Sequence, residues 1–158
     1  MIHHISFAAR DPERVASVFA ELLDGFSFPF PPNPGSFLAA ARDGRGTGVE
    51  VHPADVVLEP GPQQARFAKT GAAASPSAVH FALSVDVERA RIEEIGAREG
   101  WAVRSESRGG DFDVIELWVE NRFLVELMPP AEAARYLAFC ARMTDATRAR
   151  EEMASHAP

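Results

Sequence analysis

His4–Val15 reads HISFAARDPERV, and His80–Ala90 reads HFALSVDVERA. Each stretch opens on a histidine, alternates bulky apolar with small residues, reaches an aspartate and then changes to a helical spacing. The likeness holds over a longer reach. Glu50 follows His4 by 46 residues, and Glu126 follows His80 by the same 46. Gly25 follows Asp11 by 14 residues, as Gly100 follows Asp86. Two matched spacings in one register identify two copies of one unit, offset by about 75 residues.

Working outward, Ile5, Phe7 and Ala9 alternate with His4, Ser6 and Ala8, the period of a half-buried strand. Asp11 is placed to cap a helix, with Pro12 at its first position. Val15, Val18, Phe19, Leu22 and Leu23 form its apolar face. Asp24-Gly25 is predicted to end it, the glycine supplying a left-handed cap. In the second copy Phe81, Leu83 and Val85 alternate with His80, Ala82 and Ser84. There Asp86 is expected to cap a helix with Ile92 and Ile95 inside, and Gly100 to end it. Three extended stretches follow each helix: 26–30, 37–41 and 48–52, then 101–105, 112–119 and 123–128. The expected fold is therefore α+β, with two tandem β-α-β-β-β modules over residues 1–54 and 78–130. Residues 55–77, rich in Pro, Gly, Ala and Gln, read as a linker. Residues 131–158 read as a C-terminal helix and tail, with Tyr136, Leu137, Phe139, Cys140 and Met143 on the apolar side.

Composition narrows the function classes. The 158 residues are 46% hydrophobic and 25% charged, enough to bury a core without crosslinks. Cys140 is the single cysteine, so no intrachain disulfide forms, which fits a reducing, cytoplasmic setting. The net charge of −7 and the lack of a dense basic patch argue against nucleic acid as a partner. No apolar run reaches the ~20 residues of a membrane span, and the N-terminus lacks signal-peptide character.

The chemistry-bearing residues at equivalent positions are His4, Glu50, His80 and Glu126. Each histidine shares its strand face with small residues, Ser6 and Ala8 or Ala82 and Ser84, which leaves room for a ligand. Glu50 lies in GVEVHP and Glu126 in LVELMP, and a carboxylate inside an apolar strand is costly unless paired or metal-bound. Taken singly, a strand histidine or glutamate is more often structural or solvent-facing. Recurrence of both types at both positions points instead to a divalent first-row metal held by all four. His52, on the face of Glu50, reads as a surface histidine at a strand end, with a base beside Glu50 as the alternative. His3 points away from His4 and reads as structural. Glu116 shares the face of Glu126 only if the 120–122 turn has odd length. The loop FPFPPNPGS, 28–36, is either a pocket wall or a rigid turn, and Cys140 reads as buried and inert.

HISFAARD, GVEVHP, HFALSVD and FLVELMPP, in this tandem arrangement, resemble the vicinal oxygen chelate superfamily over residues 2–130. That group includes glyoxalase I, methylmalonyl-CoA epimerase, extradiol dioxygenases and fosfomycin- and bleomycin-resistance proteins. The resemblance implies strands curled around a metal, with His4, Glu50, His80 and Glu126 at the ligand positions of glyoxalase I and positions open for substrate oxygens. It also implies a lyase or isomerase acting on a small carbonyl compound, with a metal-stabilised enolate and Glu50 or Glu126 as the base. Four ligands favour this over an extradiol-type dioxygenase, which keeps fewer, and retention of all four types argues against a non-catalytic binding protein. Zn, Ni, Co, Mn and Fe all suit imidazole and carboxylate donors. Glyoxalase I resemblance would place a glutathione-binding arginine where Ala8 stands, which sets a glutathione thioester aside. A homodimer is expected, because the open sheets have edges to cover.

Overall fold

The opening histidine strand, β1 (His4–Ala9), buries Phe7 and Ala9 and turns at Asp11 into α1 (Pro12–Leu22). The Asp11 side chain accepts the Arg14 backbone N–H at 3.0 Å, with proline at the start of the helix, as the sequence predicts. Val15, Val18, Phe19 and Leu22 are buried on one face. The computed structural model describes residues 2–62, 65–71 and 78–155. The chain continues through β2 (Phe26–Pro29), β3 (Phe37–Ala40) and β4 (Gly48–Pro53). The second module repeats this as β7 (Phe81–Ser84), α2 (Arg89–Glu99), β8 (Ala102–Arg108), β9 (Phe112–Val119) and β10 (Phe123–Met128). The strand orders are equivalent, β1-β4-β3-β2 and β7-β10-β9-β8, with the first and last strands of each module parallel. The α+β tandem and the C-terminal helix α3 (Pro130–Ser155) stand as expected.

The modules share one core. Phe7 stacks on Phe123 at 4.3 Å between ring centroids, and Phe19 lies 6.3 Å from Phe81. Above that core α1 and α2 are tied by Arg14–Glu99 at 2.6 Å and Arg98–Glu21 at 2.8 Å. The Glu120 carboxylate, in the β9–β10 turn, accepts the backbone N–H groups of Arg10 and Asp11, each at 2.8 Å. The helix-facing sides of the sheets are thus consumed by packing, and the opposite faces carry the polar residues.

Four local expectations are corrected. Asp24, not Gly25, takes the positive φ after α1, at 45°. Gly25 is required by close approach, since a Cβ there would stand 1.9 Å from the Ala40 carbonyl oxygen. Asp86 does not cap α2: the helix starts at Arg89, with Glu88 as N-cap and no side-chain cap bond. Val85 and Val87 both pack against the core, and the chain bends through Asp86 and Val87 before the helix begins. The segment read as linker contains a hairpin, β5 (Val56–Glu59) with β6 (Arg66–Lys69), while its positions 63–64 and 72–77 lie outside the described residues, as does the tail 156–158. Finally, Leu137 and Met143 of α3 are exposed, and the helix instead packs Tyr136 and Phe139 on Phe112. Cys140 is half-buried.

Candidate functional site

Parallel pairing of β1 with β4 sets Ser6 opposite Glu50, and β3 sets Leu38 on its other side, opposite Phe28. The row Ser6–Glu50–Leu38–Phe28 therefore crosses the face away from the helices. The Ser6 hydroxyl donates to Glu50 Oε2 at 2.9 Å. His4 Nε2 stands 3.7 Å from Oε1, and His52 Nε2 stands 3.7 Å from Oε2. The Glu50 side chain is 14% exposed and its histidine neighbours are 57% (His4) and 7% (His52) exposed. A carboxylate this shielded, with one short hydrogen bond among the described residues, is incompletely satisfied.

His52 is buried, which corrects the expectation of a surface histidine. Phe67 of β6 lies 5.1 Å from its ring and Phe30 lies 5.9 Å away. Its Nδ1 is 2.8 Å from Ser36 Oγ, which also accepts the Asn33 side-chain N–H at 2.6 Å. Burial lowers the basicity of His52, and the negative charge of Glu50 opposes this only in part, so the ring is uncharged at neutral pH. Among the described residues, His52 Nε2 is the buried side-chain polar atom left without a hydrogen-bond partner. The proline-rich loop turns tightly, with the Phe30 N–H on the Ser36 carbonyl at 2.8 Å, and also walls this site through Phe30, Asn33 and Ser36.

The equivalent face of the second module is different. Glu126 stands opposite Ala82 on one side and Glu116 on the other, so Glu116 does share its face. Arg108 joins both carboxylates, donating from Nη2 to Glu116 at 2.9 Å and from Nε to Glu126 at 3.1 Å. Trp118 Nε1 donates to Glu116 at 3.2 Å. The Arg108 hydrogen bond holds the Glu116 carboxyl below its usual range. His80 precedes β7, is exposed, and places Nδ1 3.0 Å from the Ala78 carbonyl oxygen. The structure thus brings His4 to Glu50, gives Glu126 an arginine partner, and shows neither His80 nor Glu126 paired with the first module's pair. Among the described residues, no group of three or more His, Cys, Asp or Glu side chains stands in metal-holding geometry.

Ser6 also lines a cavity of about 240 Å³ between β1 and the β9–β10 turn. Ala8, Val79 and Phe123 give it apolar walls, and Arg10, Glu120 and Arg122 give it polar ones. The residues that sequence reasoning passed over are Ser36, Asn33 and Arg108. Ser36 and Asn33 lie in a loop whose proline content masks its polar positions. Arg108 reaches Glu126 only through the register of β8 on β9, which no local pattern states.

No protein-family model matches the chain, and no match was found among curated proteins. Solved structures do match. The fosfomycin resistance protein FosX from Mesorhizobium loti aligns with 86% of this chain and 96% of its own, at 16% identity and a TM-score of 0.51. FosX from Listeria monocytogenes aligns with 80% of this chain and 88% of its own, at 13% identity and a TM-score of 0.53. The trypanothione-dependent glyoxalase I of Leishmania major aligns with 94% of this chain and 98% of its own, at 13% identity and a TM-score of 0.53. No helix among the described residues is long and apolar enough to cross a membrane. With two four-stranded sheets in equivalent order and these neighbours, the chain has the fold of the vicinal oxygen chelate superfamily.

Proposed function

We propose that the chain is a metal-dependent enzyme that moves a proton next to the carbonyl of a small compound, a lyase or isomerase of the glyoxalase or epimerase type. The observation that carries this reading is Glu50: a shielded carboxylate, pinned by Ser6 and flanked by two imidazoles, beside a cavity that Ser6 also lines. The donors fit a divalent cation in kind, since imidazole and carboxylate are its usual ligands and His52 Nε2 is buried without a partner. His4 and Glu50 would hold it. A cation bound there would supply Lewis acidity toward a substrate oxygen.

The chain's own residues supply the rest. Ser6 donates to Oε2 and orients Glu50, the carboxylate that would take the proton. The rings of Phe30 and Phe67 exclude water on the His52 side. The cavity volume suits a substrate of a few heavy atoms rather than a peptide or polymer. A second reading has His80 and Glu126 completing the cation's shell, in the same chain or from a second copy in a homodimer. The shared register favours it, Glu50 opposite Ser6 and Glu126 opposite Ala82. Arg108 must then release Glu126.

Incubating metal-loaded protein in heavy water with 2-oxo and 2-hydroxy carbonyl compounds tests the reaction class. Deuterium uptake followed by NMR is expected, and Glu50→Gln should lower it about a hundredfold or more. Oxygen consumption with catechols, and no exchange with any carbonyl compound, would replace this reading with an extradiol-type dioxygenase.

A further inference from the structure

We propose that the cavity between β1 and the β9–β10 turn selects an acidic substrate, with Arg10 holding a carboxylate that the substrate carries a short aliphatic chain away from its reacting carbonyl. The inference rests on the reading of Glu50 as the base beside that cavity, and it names the class of compound taken there. Its starting point is an arginine without a carboxylate. Acidic side chains outnumber basic ones in this chain, 23 to 16, and Arg89, Arg91 and Arg98 of α2 each pair with a glutamate. Arg10 lines the cavity, and among the described residues its guanidinium makes no ion pair. A glutamate stands nearby, yet it is engaged elsewhere. Each Glu120 oxygen accepts a backbone N–H, Oε2 from Arg10 and Oε1 from Asp11, both at 2.8 Å. Those N–H groups lie just ahead of the first turn of α1, where the helix dipole is positive, so the backbone meets the charge of Glu120.

The rest of the lining sets the shape of the ligand. Phe7, Ala8, Val119 and Phe123 give apolar surface, and Arg122 adds a second guanidinium. Two arginines and one glutamate leave the lining net positive. A guanidinium grips a carboxylate by two parallel hydrogen bonds, stronger than those it makes with a neutral ester. Ser6 marks the other end, lining the cavity and donating to Glu50 at 2.9 Å. Ser6 and Arg10 are four residues apart on an extended chain, about 13 Å between α carbons at ~3.3 Å per residue. The acidic group and the carbonyl of one ligand are thus separated by methylenes rather than adjacent. The apolar walls suit those methylenes, and a cavity of about 240 Å³ admits a compound of that size. Length, charge and walls together select a small oxo acid over a neutral ketone.

Chelator-treated full-length protein is titrated with levulinate, a ketone two methylenes from a carboxylate, and with its neutral methyl ester, and binding is followed by NMR. Levulinate is expected to bind at least about tenfold more tightly than the ester, with contacts from its methylenes to the methyl groups of Ala8 and Val119. Arg10→Gln should weaken levulinate about tenfold and leave the ester within about twofold, and Arg10→Lys should recover part of the loss. Arg148→Gln, exposed on α3, should change neither. Ala8→Leu, which fills the cavity, should weaken both. Equal affinity for acid and ester, undiminished levulinate binding in Arg10→Gln, contacts outside the cavity, or no binding of either compound overturns the proposal. The acid-to-ester ratio in the unsubstituted protein decides the matter if Arg10→Gln fails to fold. The two readings fail separately. Deuterium exchange into neutral carbonyl compounds with no preference for the acid overturns the acidic substrate and leaves the reaction class standing. Preference for the acid with no exchange into any carbonyl compound, in metal-loaded protein, supports the pocket and overturns the reaction class.

Discussion

Across the first sheet one row of side chains reads Phe28, Leu38, Glu50, Ser6; across the second the equivalent row reads Arg104, Glu116, Glu126, Ala82. The backbone places both glutamates identically, yet their surroundings are opposite. Glu50 has apolar strand neighbours, one serine and two imidazoles at 3.7 Å. Glu126 has a second carboxylate beside it and a guanidinium across both. A cover distinguishes them further. The helix α3 lies on the second face alone, through Phe112, with Arg135 paired to Asp113 at 2.6 Å and Arg142 to Asp111 at 2.9 Å. The Tyr136 hydroxyl is held above its ordinary range chiefly by Cys140, with the charge of Glu126 adding to the effect. One copy of the unit has therefore become a self-neutralised, covered surface, while the other keeps a carboxylate with imidazoles, rather than a guanidinium, beside it. The difference teaches that a repeated residue need not repeat its role.

Removing Arg108 should break that contrast most severely. Arg108→Met leaves two shielded carboxylates without a cation and should cost about 2–3 kcal/mol in chemical denaturation, below the full cost for a buried pair because Arg108 is one-third exposed. Adding Glu116→Gln and Glu126→Gln should return most of it. The loss should also be pH-dependent. The Glu116 carboxyl is lowered by Arg108, so its contribution is complete above the ordinary value of 4.5 and is lost as pH falls through the lower folded value. The stability gap between wild type and Arg108→Met should accordingly narrow as pH falls below 4.5. An unchanged gap down to pH 3 would mean that Arg108 acts by packing alone.

A smaller effect is expected from the cover. Phe139→Ala removes a half-buried ring against Phe112 and should cost about 1–2 kcal/mol, less than a fully buried phenylalanine. The smallest effect on stability should come from the residue with the largest expected effect on activity. Glu50→Gln in metal-free protein should change unfolding free energy by less than about 1 kcal/mol, because its neighbours are imidazoles at 3.7 Å and the Ser6 hydroxyl, which an amide oxygen accepts as well. A loss of 3 kcal/mol or more would make Glu50 a structural residue and bring the two modules back into likeness.

Much of the architecture was legible in residues of one strand or one helix. The alternation in HISFAARD and HFALSVD, the Asp11-Pro12 start of α1 and the left-handed Gly100 at φ 68° are local signals with local causes. Signals failed where a distant contact set the outcome. Gly25 is glycine because Ala40 approaches it, and α2 starts late because Val85 and Val87 are drawn into a core that the other module helps to build. The hairpin over His52 was hidden because Pro and Gly dominate the composition of residues 55–77, while Phe67 supplies the packing.

The sequence by itself determined that two β-α-β-β-β units follow one another, and which face of each strand carries His4, Glu50 and Glu126, because strand and helix periodicity depend only on residue order. Only the tertiary structure decided what those residues meet. Arg108 reaches Glu126 through strand register, Ser36 and Phe67 enclose His52 through loop closure, and α3 covers one face of two. Each is a contact between residues far apart in the chain, where burial and electrostatics, not periodicity, choose the partner.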